Sequence, residues 1–330
     1  MSASYDVAAI GNAIVDVIAP ADEAFLVGNA LTKGSMMLID EARAHELYGK
    51  MGAAIEASGG SAGNTVAGVA SLGGRAAYVG KVASDQLGDV FAHDTRQIGV
   101  HFETSRLAGG AATGRCLINV TPDGERTMCT FLGASVELTA ADVEPDLIMG
   151  AEIVYLEGYL FDPPEARRAF AKAAGLARAS GRTIALTLSD SFVVERHRSG
   201  LREFIETEVD LLFANESEIT SLFEVSDFES AARAVQGMTK IAAITRSEKG
   251  SVVVTPTIRH TVAAFPVAKV VDSTGAGDQY AAGFMLALAR GKPLDHCARL
   301  GGLAAAEVIS HYGPRPQVSL AELAAANGLS

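Results

Sequence analysis

The 330-residue sequence has few of the groups that metal and redox proteins depend on. It holds three cysteines, Cys116, Cys129 and Cys297, and none of them sits in a C-x-x-C pair. That excludes a zinc framework and suits a reducing, cytoplasmic setting. Its seven histidines are scattered, with no H-E-x-x-H, so a histidine-based metal site is excluded as well. No apolar run is long enough to span a bilayer. The N-terminal MSASYDVAAIGNAIVDVIAP lacks a basic leader and carries Asp6 and Asp16, which predicts a buried first strand rather than a signal peptide. Basic residues are in deficit, with 27 Lys and Arg against 39 Asp and Glu, a net charge of −12. An acidic surface argues against nonspecific binding to nucleic acid or anionic membranes, although a local pocket can still take an anion. The usual nucleotide motifs are missing too. There is no G-x-x-x-x-G-K-[ST], and GAGDQY lacks the third glycine of G-x-G-x-x-G.

What is present is a regular alternation. Hydrophobic residues make up 48% and charged residues 20%, a globular balance with enough length for a sizeable core. In the second half, apolar runs at 151–158, 183–189, 210–215, 241–247 and 251–256 read as strands. Helical patterns lie between them at 164–180, 200–208, 216–223 and 228–238. Strands alternating with helices predict βαβ units, and apolar runs of this kind predict a parallel sheet buried on both faces. The first half is less regular. A strand is expected at 5–11 and a helix at 64–72, opened by SGGSAG. The segments 113–120 and 126–132 flank PDGE, a turn signal, and read as a hairpin. Such an insertion suits a small separate sheet lying over the site as a lid.

Four stretches carry chemistry. In VVDSTGAGDQY, an apolar run ends at Asp272, small residues follow at Gly275, Ala276 and Gly277, and Asp278 opens a helical pattern. Unpaired N–H groups at such a helix start form an anion site. A carboxylate beside an anion site is repulsive unless it has a task, and a general base for a hydroxyl nucleophile is one. A first-turn acid that merely complements the helix dipole is the other reading, and on this stretch alone both stand. The second stretch is EASGGSAGNTVAGVASLGG, 56–74. It is either a helix start capped by Ser61 or Asn64, or a backbone that closely approaches a polyhydroxyl ligand. Third, Asn215 and Glu218 in NESE share one helical face. They read as a cap, or as groups ordering water around Mg²⁺. Fourth, TRSEKG, from Thr245 to Gly250, is a plain turn or a loop that holds nucleotide phosphates.

Taken in order, GGSAGN, N-x-x-E, T-x-x-x-x-G and D-S-T-G-A-G-D resemble the PfkB carbohydrate kinase family from about residue 5 to about residue 315. The resemblance implies a ribokinase-like three-layer α/β/α fold with a mostly parallel central sheet and a small β lid. It implies a single domain over 1–330, with a discontinuous lid formed roughly by 12–40 and 101–135. It also implies transfer of the ATP γ-phosphoryl group to a hydroxymethyl group. Asp278 is then the base, and Gly275, Ala276 and Gly277 are the anion hole. Asn215, Thr245, Gly250 and Gly277 fall to ATP. Glu218 and Asn215 act on Mg²⁺ through water, and a monovalent cation such as K⁺ is allowed near the loop. Ser273 stands where the family often has Thr.

Further pieces resemble the adenosine kinase branch of that family: GNAIVDVIA, SMMLIDE (35–41), ASGGSAGNT, TGRC, EGYLFDPPE, TLSDSF and FANESE. This implies that Asn12 and Asp16 contact a nucleoside, with Gly59, Gly60, Ser61 and Asn64 also on the substrate. Met128, Thr130 and Leu132 alternate along one strand face, and by resemblance that face closes over the purine. Tyr159 is expected to add a stacking ring, and Arg126 to reach the transferred phosphate. Ordinary core packing is the competing account of Met128 and Leu132.

The expected substrate is therefore a nucleoside, adenosine first. The alternative is a sugar kinase for ribose, fructose or a keto-deoxy sugar acid, the last of which needs an arginine in the substrate pocket. An apolar lid favours a base over a sugar. A binding regulator without catalysis fits less well, because a sensor has no use for Asp278. Monomer and homodimer both remain open. The C-terminal HYGPRPQVSL, 311–320, is expected near the nucleotide without assigned contacts.

Overall fold

A computed structural model describes residues 3–330. The strands of the first half are β1 (Tyr5–Ile10), β2 (Ile14–Pro20), β3 (Met36–Leu38), β4 (Ile55–Gly59), β5 (Ala76–Val79), β6 (Val100–His101), β7 (Gly114–Val120) and β8 (Arg126–Phe131). Those of the second half are β9 (Ala151–Glu157), β10 (Thr183–Thr187), β11 (Leu211–Asn215), β12 (Ile241–Thr245), β13 (Ser251–Val254) and β14 (Arg259–Val262). Nine of them form one sheet in the order β14-β13-β12-β11-β10-β9-β1-β5-β6. Pairing is parallel except where β13 joins β12 and β14. The alternation of apolar runs and helices thus produces a large, mostly parallel sheet, as expected.

Side-chain period two splits the core. Along β1, Val7 and Ala9 point into one cluster, and Ala8 and Ile10 into the other. The first cluster is covered by helices Ser61–Ser71, Ala276–Ala289 and Leu294–Val308. The second is covered by helices Pro164–Ala179, Ser191–Glu208, Glu216–Phe223 and Phe228–Val235. This is a three-layer α/β/α arrangement. The helix expected at 200–208 starts earlier, at Ser191. Asp190 caps it there by accepting from Phe192 N, and Val193 and Val194 are buried.

The remaining five strands form a second sheet in the order β3-β8-β7-β2-β4. The hairpin around PDGE is its β7–β8 pair. Its strands do not all fall within 12–40 and 101–135. β4 lies outside those bounds and pairs with β2, while Val100–His101 edges the large sheet beside β5. The glycine-rich run after β4 hid it as a strand. Among the described residues, no helix is long and apolar enough to cross a membrane.

Candidate active site

The catalytic candidates gather at the C-terminal ends of the parallel strands, where βαβ crossovers leave a crevice. Helix Ala276–Ala289 begins there, with Gly275 as its N-cap at φ +79° and no side chain bonding its first N–H groups. Only glycine fits this position. Its φ is left-handed, and a Cβ would lie 2.6 Å from Pro314 O. Ala276 N donates to Ser273 O at 3.3 Å, and no side chain occupies the helix N-terminus, which can receive an anion.

Asp278 stands in the first turn of that helix. The Ser61 hydroxyl donates to its Oδ1 at 2.6 Å, and Asn64 Nδ2 donates to its Oδ2 at 3.2 Å. The glycine-rich helix start and the GAGD turn, distant in sequence, thus meet on one carboxylate. Asp278 keeps some solvent-accessible surface but lies deep in the cleft. Burial raises its pKa to about 6, against the Ser61 and Asn64 hydrogen bonds. Ser61 and Asn64, expected on the substrate, spend these donors on Asp278. Gly60 is obligatory where the chain enters the helix, because a Cβ there would overlap the Asn12 carbonyl.

Asn12, just past β1, is buried. Its Nδ2 donates to Glu157 Oε1 at 2.8 Å, and its own Oδ1 has no partner. A buried acceptor without a partner is rare in folded proteins. Asp16 lies on β2, with its carboxylate against Gly59. Burial raises its pKa to about 6, opposed first by Arg315 and then by Arg126. The strand pairing puts Asp16, Cys116 and Thr130 in one row across the small sheet, and Ile18, Ile118 and Met128 in the next. Ile14, Ile118, Met128 and Leu132 pack together on that face. One sheet face therefore joins the Asp16 carboxylate to an apolar wall.

A cavity of about 380 Å³ opens from Asp278 along the strand ends, within the range of small-molecule sites. Asn215, Glu218, Thr245 and Gly250 line it, together with Ala276 and Gly277. Its far end is apolar, formed by Ala264, Phe265, Ala298, Ala305 and Ile309. Nothing in the spacing of these small apolar residues distinguished them from ordinary core.

Asn215 and Glu218 form a reciprocal cap. Asn215 Oδ1 accepts from Glu218 N at 2.8 Å, and Glu218 accepts from Asn215 N at 2.9 Å and from Asn215 Nδ2 at 2.8 Å. Burial lifts the Glu218 pKa to about 7. Among the described residues, no group of three or more His, Cys, Asp or Glu is placed to cage a metal. Asn215 and Glu218 are oxygen donors of the kind that could order water around Mg²⁺.

Arg126 sits with a guanidinium nitrogen 2.7 Å from Asp272 Oδ2, both side chains buried. The approach is close but misaligned for a hydrogen bond, so Arg126 Nε and Nη1 have no acceptor. Asp272 also accepts from Gly313 N and from Thr274. Arg126 is thus docked on the acid that opens the catalytic turn. Tyr159, expected to stack on the base, is half-buried in the turn Gly158–Phe161 and feels the Asp278 and Glu157 carboxylates. It packs against the second core cluster and is not among the residues lining the cavity. The turn Gly158–Phe161 directs it there because its neighbours Leu160 and Phe161 are buried in that core.

Two functional candidates escaped the sequence reading. Glu157 ends β9, and its Oε2 accepts from Ala62 N at 2.9 Å while Oε1 takes both Asn12 donors. Burial raises its pKa to about 7. An acid closing an apolar strand was its only signal. Arg315 lies in HYGPRPQVSL but bonds Asn64 and Ser58, on the Asp16 side, rather than reaching into the cavity.

Comparisons with known proteins agree with this arrangement. The pattern of the pfkB family carbohydrate kinases matches residues 6–320. A solved structure described as adenosine kinase from Sinorhizobium meliloti is 54% identical, covers 98% of this chain and all of its own, and superposes with a TM-score of 0.91. A second, described as a probable sugar kinase protein from Rhizobium etli CFN 42, is 49% identical over 99% of this chain and all of its own, with a TM-score of 0.93. A cytidine kinase from Thermococcus kodakarensis is 32% identical over 54% of this chain and 65% of its own length. With its fold, its ordered motifs and a match from residue 6 to residue 320, the chain belongs to the pfkB family of carbohydrate kinases, ribokinase-like phosphotransferases with an alcohol group as acceptor.

Proposed function

We propose that this kinase transfers the γ-phosphoryl group of ATP to the 5′-hydroxyl of a nucleoside, adenosine first, giving the nucleoside 5′-monophosphate and ADP. The observation that carries the reading is two unlike groups brought close together, Asp16 lying near enough to Asp278 to raise its pKa. The Asp278 carboxylate stands at an uncapped helix N-terminus, and the small sheet presents Asp16 beside an apolar wall of Ile14, Ile118, Met128 and Leu132. A ribose needs an acceptor such as Asp16, and a base needs the apolar wall.

Asp278 accepts the proton of the attacking hydroxyl, and its pKa of about 6 leaves it ionised near neutrality. Ser61 and Asn64 fix the orientation of its oxygens. The N–H groups from Gly275 to Gly277 face the phosphoryl group as charge builds. Asp16 accepts from the ribose diol, and Asn12 Oδ1 takes a further hydroxyl. ATP occupies the 380 Å³ cavity, with its base against Phe265, Ala298 and Ile309. Mg²⁺, when bound with ATP, neutralises phosphate charge, and Glu218 and Asn215 would hold its water shell. A monovalent cation near the turn belongs to this reading without any step routed through it. The small sheet acts as the lid that excludes water, and Arg126 approaches the transferred group from it.

The buried polar groups Asn12 and Asp16 also suit a free sugar, which keeps a sugar kinase as the second reading. Turnover with adenosine, guanosine, ribose and fructose, with product identification, separates the two. Adenosine is expected to lead, and turnover of a free sugar with none on adenosine overturns the choice.

A further inference from the structure

The floor of the substrate side holds a cation that the transfer step itself does not use. Arg315 follows helix Leu294–Val308 in the segment that returns over the catalytic turn. Its Nε donates to Asn64 Oδ1 at 3.2 Å, and its Nη1 to Ser58 Oγ at 2.8 Å. An amide whose oxygen accepts from a guanidinium has one orientation left, with its NH₂ turned away. Here that NH₂ reaches Asp278 Oδ2 at 3.2 Å. The flipped amide would face donor to donor and acceptor to acceptor, so Arg315 decides which end of Asn64 meets the base.

The same guanidinium acts on two carboxylates. After burial, it is the foremost influence on Asp16, and it also lowers the pKa of Asp278. Asp16 lies against Gly59, next to the Ser58 that Arg315 holds. The backbone around Arg315 is tied down as well. Gln279 Nε2 donates to Pro314 O at 3.0 Å, Gly313 N donates to Asp272 Oδ2 at 3.0 Å, and Pro314 fills the space beside Gly275. An arginine here is also what a sugar-acid substrate would need. Its Nε and Nη1, however, are already committed to protein oxygens, which suits positioning rather than capture.

Resting on the phosphotransfer reading, we propose that Arg315 is a positioning residue: it orients Asn64 toward the base Asp278 and is the shared counter-charge of Asp278 and Asp16. The groups around Asp278 that titrate or carry charge are Asp16, Arg315, Glu157, Glu218, Tyr155 and Tyr159. Of these, Arg315 alone is cationic. Removing it raises both carboxyl pKa values, so activity is lost at a higher pH on the acid side.

The test compares wild type with Arg315→Gln and Arg315→Lys, using the acceptor that wild type phosphorylates best. Arg315→Gln is expected to lose about ten- to a hundredfold in kcat, the scale of a misplaced catalytic group, with the acid limb of the pH–rate profile moved upward. Arg315→Lys keeps the charge and loses the fork, so its acid limb stays near that of wild type while kcat remains reduced. A folded Arg315→Gln with unchanged kcat and limb overturns the proposal. So does a loss confined to the KM of an anionic sugar, which would make Arg315 a substrate ligand. If Arg315→Gln fails to fold, near-wild-type kcat in Arg315→Lys overturns the positioning role. Aspartate carboxyl titration by ¹³C NMR in the ligand-free proteins decides the electrostatic part without any turnover. Coincident Asp16 and Asp278 titrations in wild type and Arg315→Gln sink it, even if wild type phosphorylates no alcohol in the panel and the functional reading falls.

Discussion

The proposed chemistry rests on a few carboxylates whose surroundings set their protonation. Asp278→Asn keeps the Ser61 and Asn64 neighbours but cannot take a proton. It is expected to fold, to bind nucleoside in calorimetry, and to lose at least about a hundredfold in kcat, the usual scale of one general base. Near-native turnover in that variant removes Asp278 from the role. The pH dependence follows from the same residue. Its folded pKa is about 6, so kcat is expected to fall as pH drops through about 6 while it holds above that, in a steady-state pH series. Asp278 was visible in the sequence because a carboxylate behind small residues is odd. Glu157 and Arg315 were not, because a single buried acid or base becomes meaningful only when its partners, Asn12, Ala62, Asn64 and Ser58, are known.

Among the elements, the turn before helix Ala276–Ala289 and the cap of helix Glu216–Phe223 are the most exacting. Gly275→Ala forces an L side chain into φ +79° and against Pro314. It is expected to lower stability by more than about 1 kcal/mol, read as a fall in the urea midpoint, and to reduce kcat because the helix N-terminus shifts. Wild-type midpoint and rate together would show that the turn tolerates a Cβ. Asn215→Ala removes the reciprocal cap with Glu218, and a loss of about 1 kcal/mol is expected in the same denaturation assay. If Asn215 serves only as a cap, kcat per folded molecule stays unchanged. A separate fall in kcat assigns it to the ATP side as well. Element types were legible where period and caps agreed, as at Glu216–Phe223. β4 was not legible, because Gly59 and Gly60 read as loop, and only its ladder with β2 makes 55–59 a strand.

On the scale of the whole molecule, the fold buries four carboxyls in one region. Asp16 and Asp278 are raised to about 6, and Glu157 and Glu218 to about 7, mainly by desolvation. Their folded pKa values lie above the unfolded ones, so the folded state holds more protons between about pH 4 and pH 7. The stability these groups contribute is full below the unfolded values and is lost as pH rises through 6 to 7. Carboxyls held low by ion pairs, such as Asp162, are ionised in both states above about pH 5 and add no slope there. The Tm of the ligand-free protein is therefore expected to fall between about pH 5 and pH 8 in scanning calorimetry. A Tm that rises across this range would mean that the four carboxyls are not desolvated together. Burying these carboxyls thus lowers stability at neutral pH.

The sequence by itself determined the fold class, the alternating strands and helices of the second half and the ordered motifs that mark the family. These are local properties: apolar periodicity, turn residues and a few spaced motifs are written along the chain. The tertiary structure alone decided which groups act together. It brought Ser61 and Asn64 onto Asp278 across more than two hundred residues of chain, and by pairing β2, β7 and β8 it set Asp16 in one row with Cys116 and Thr130, next to the row of Ile118 and Met128. It packed Tyr159 against the second core cluster while leaving it near Asp278, and it brought Arg315 back onto Asn64. Burial, hydrogen-bond orientation and pKa depend on distances through space, and one-dimensional spacing does not contain them.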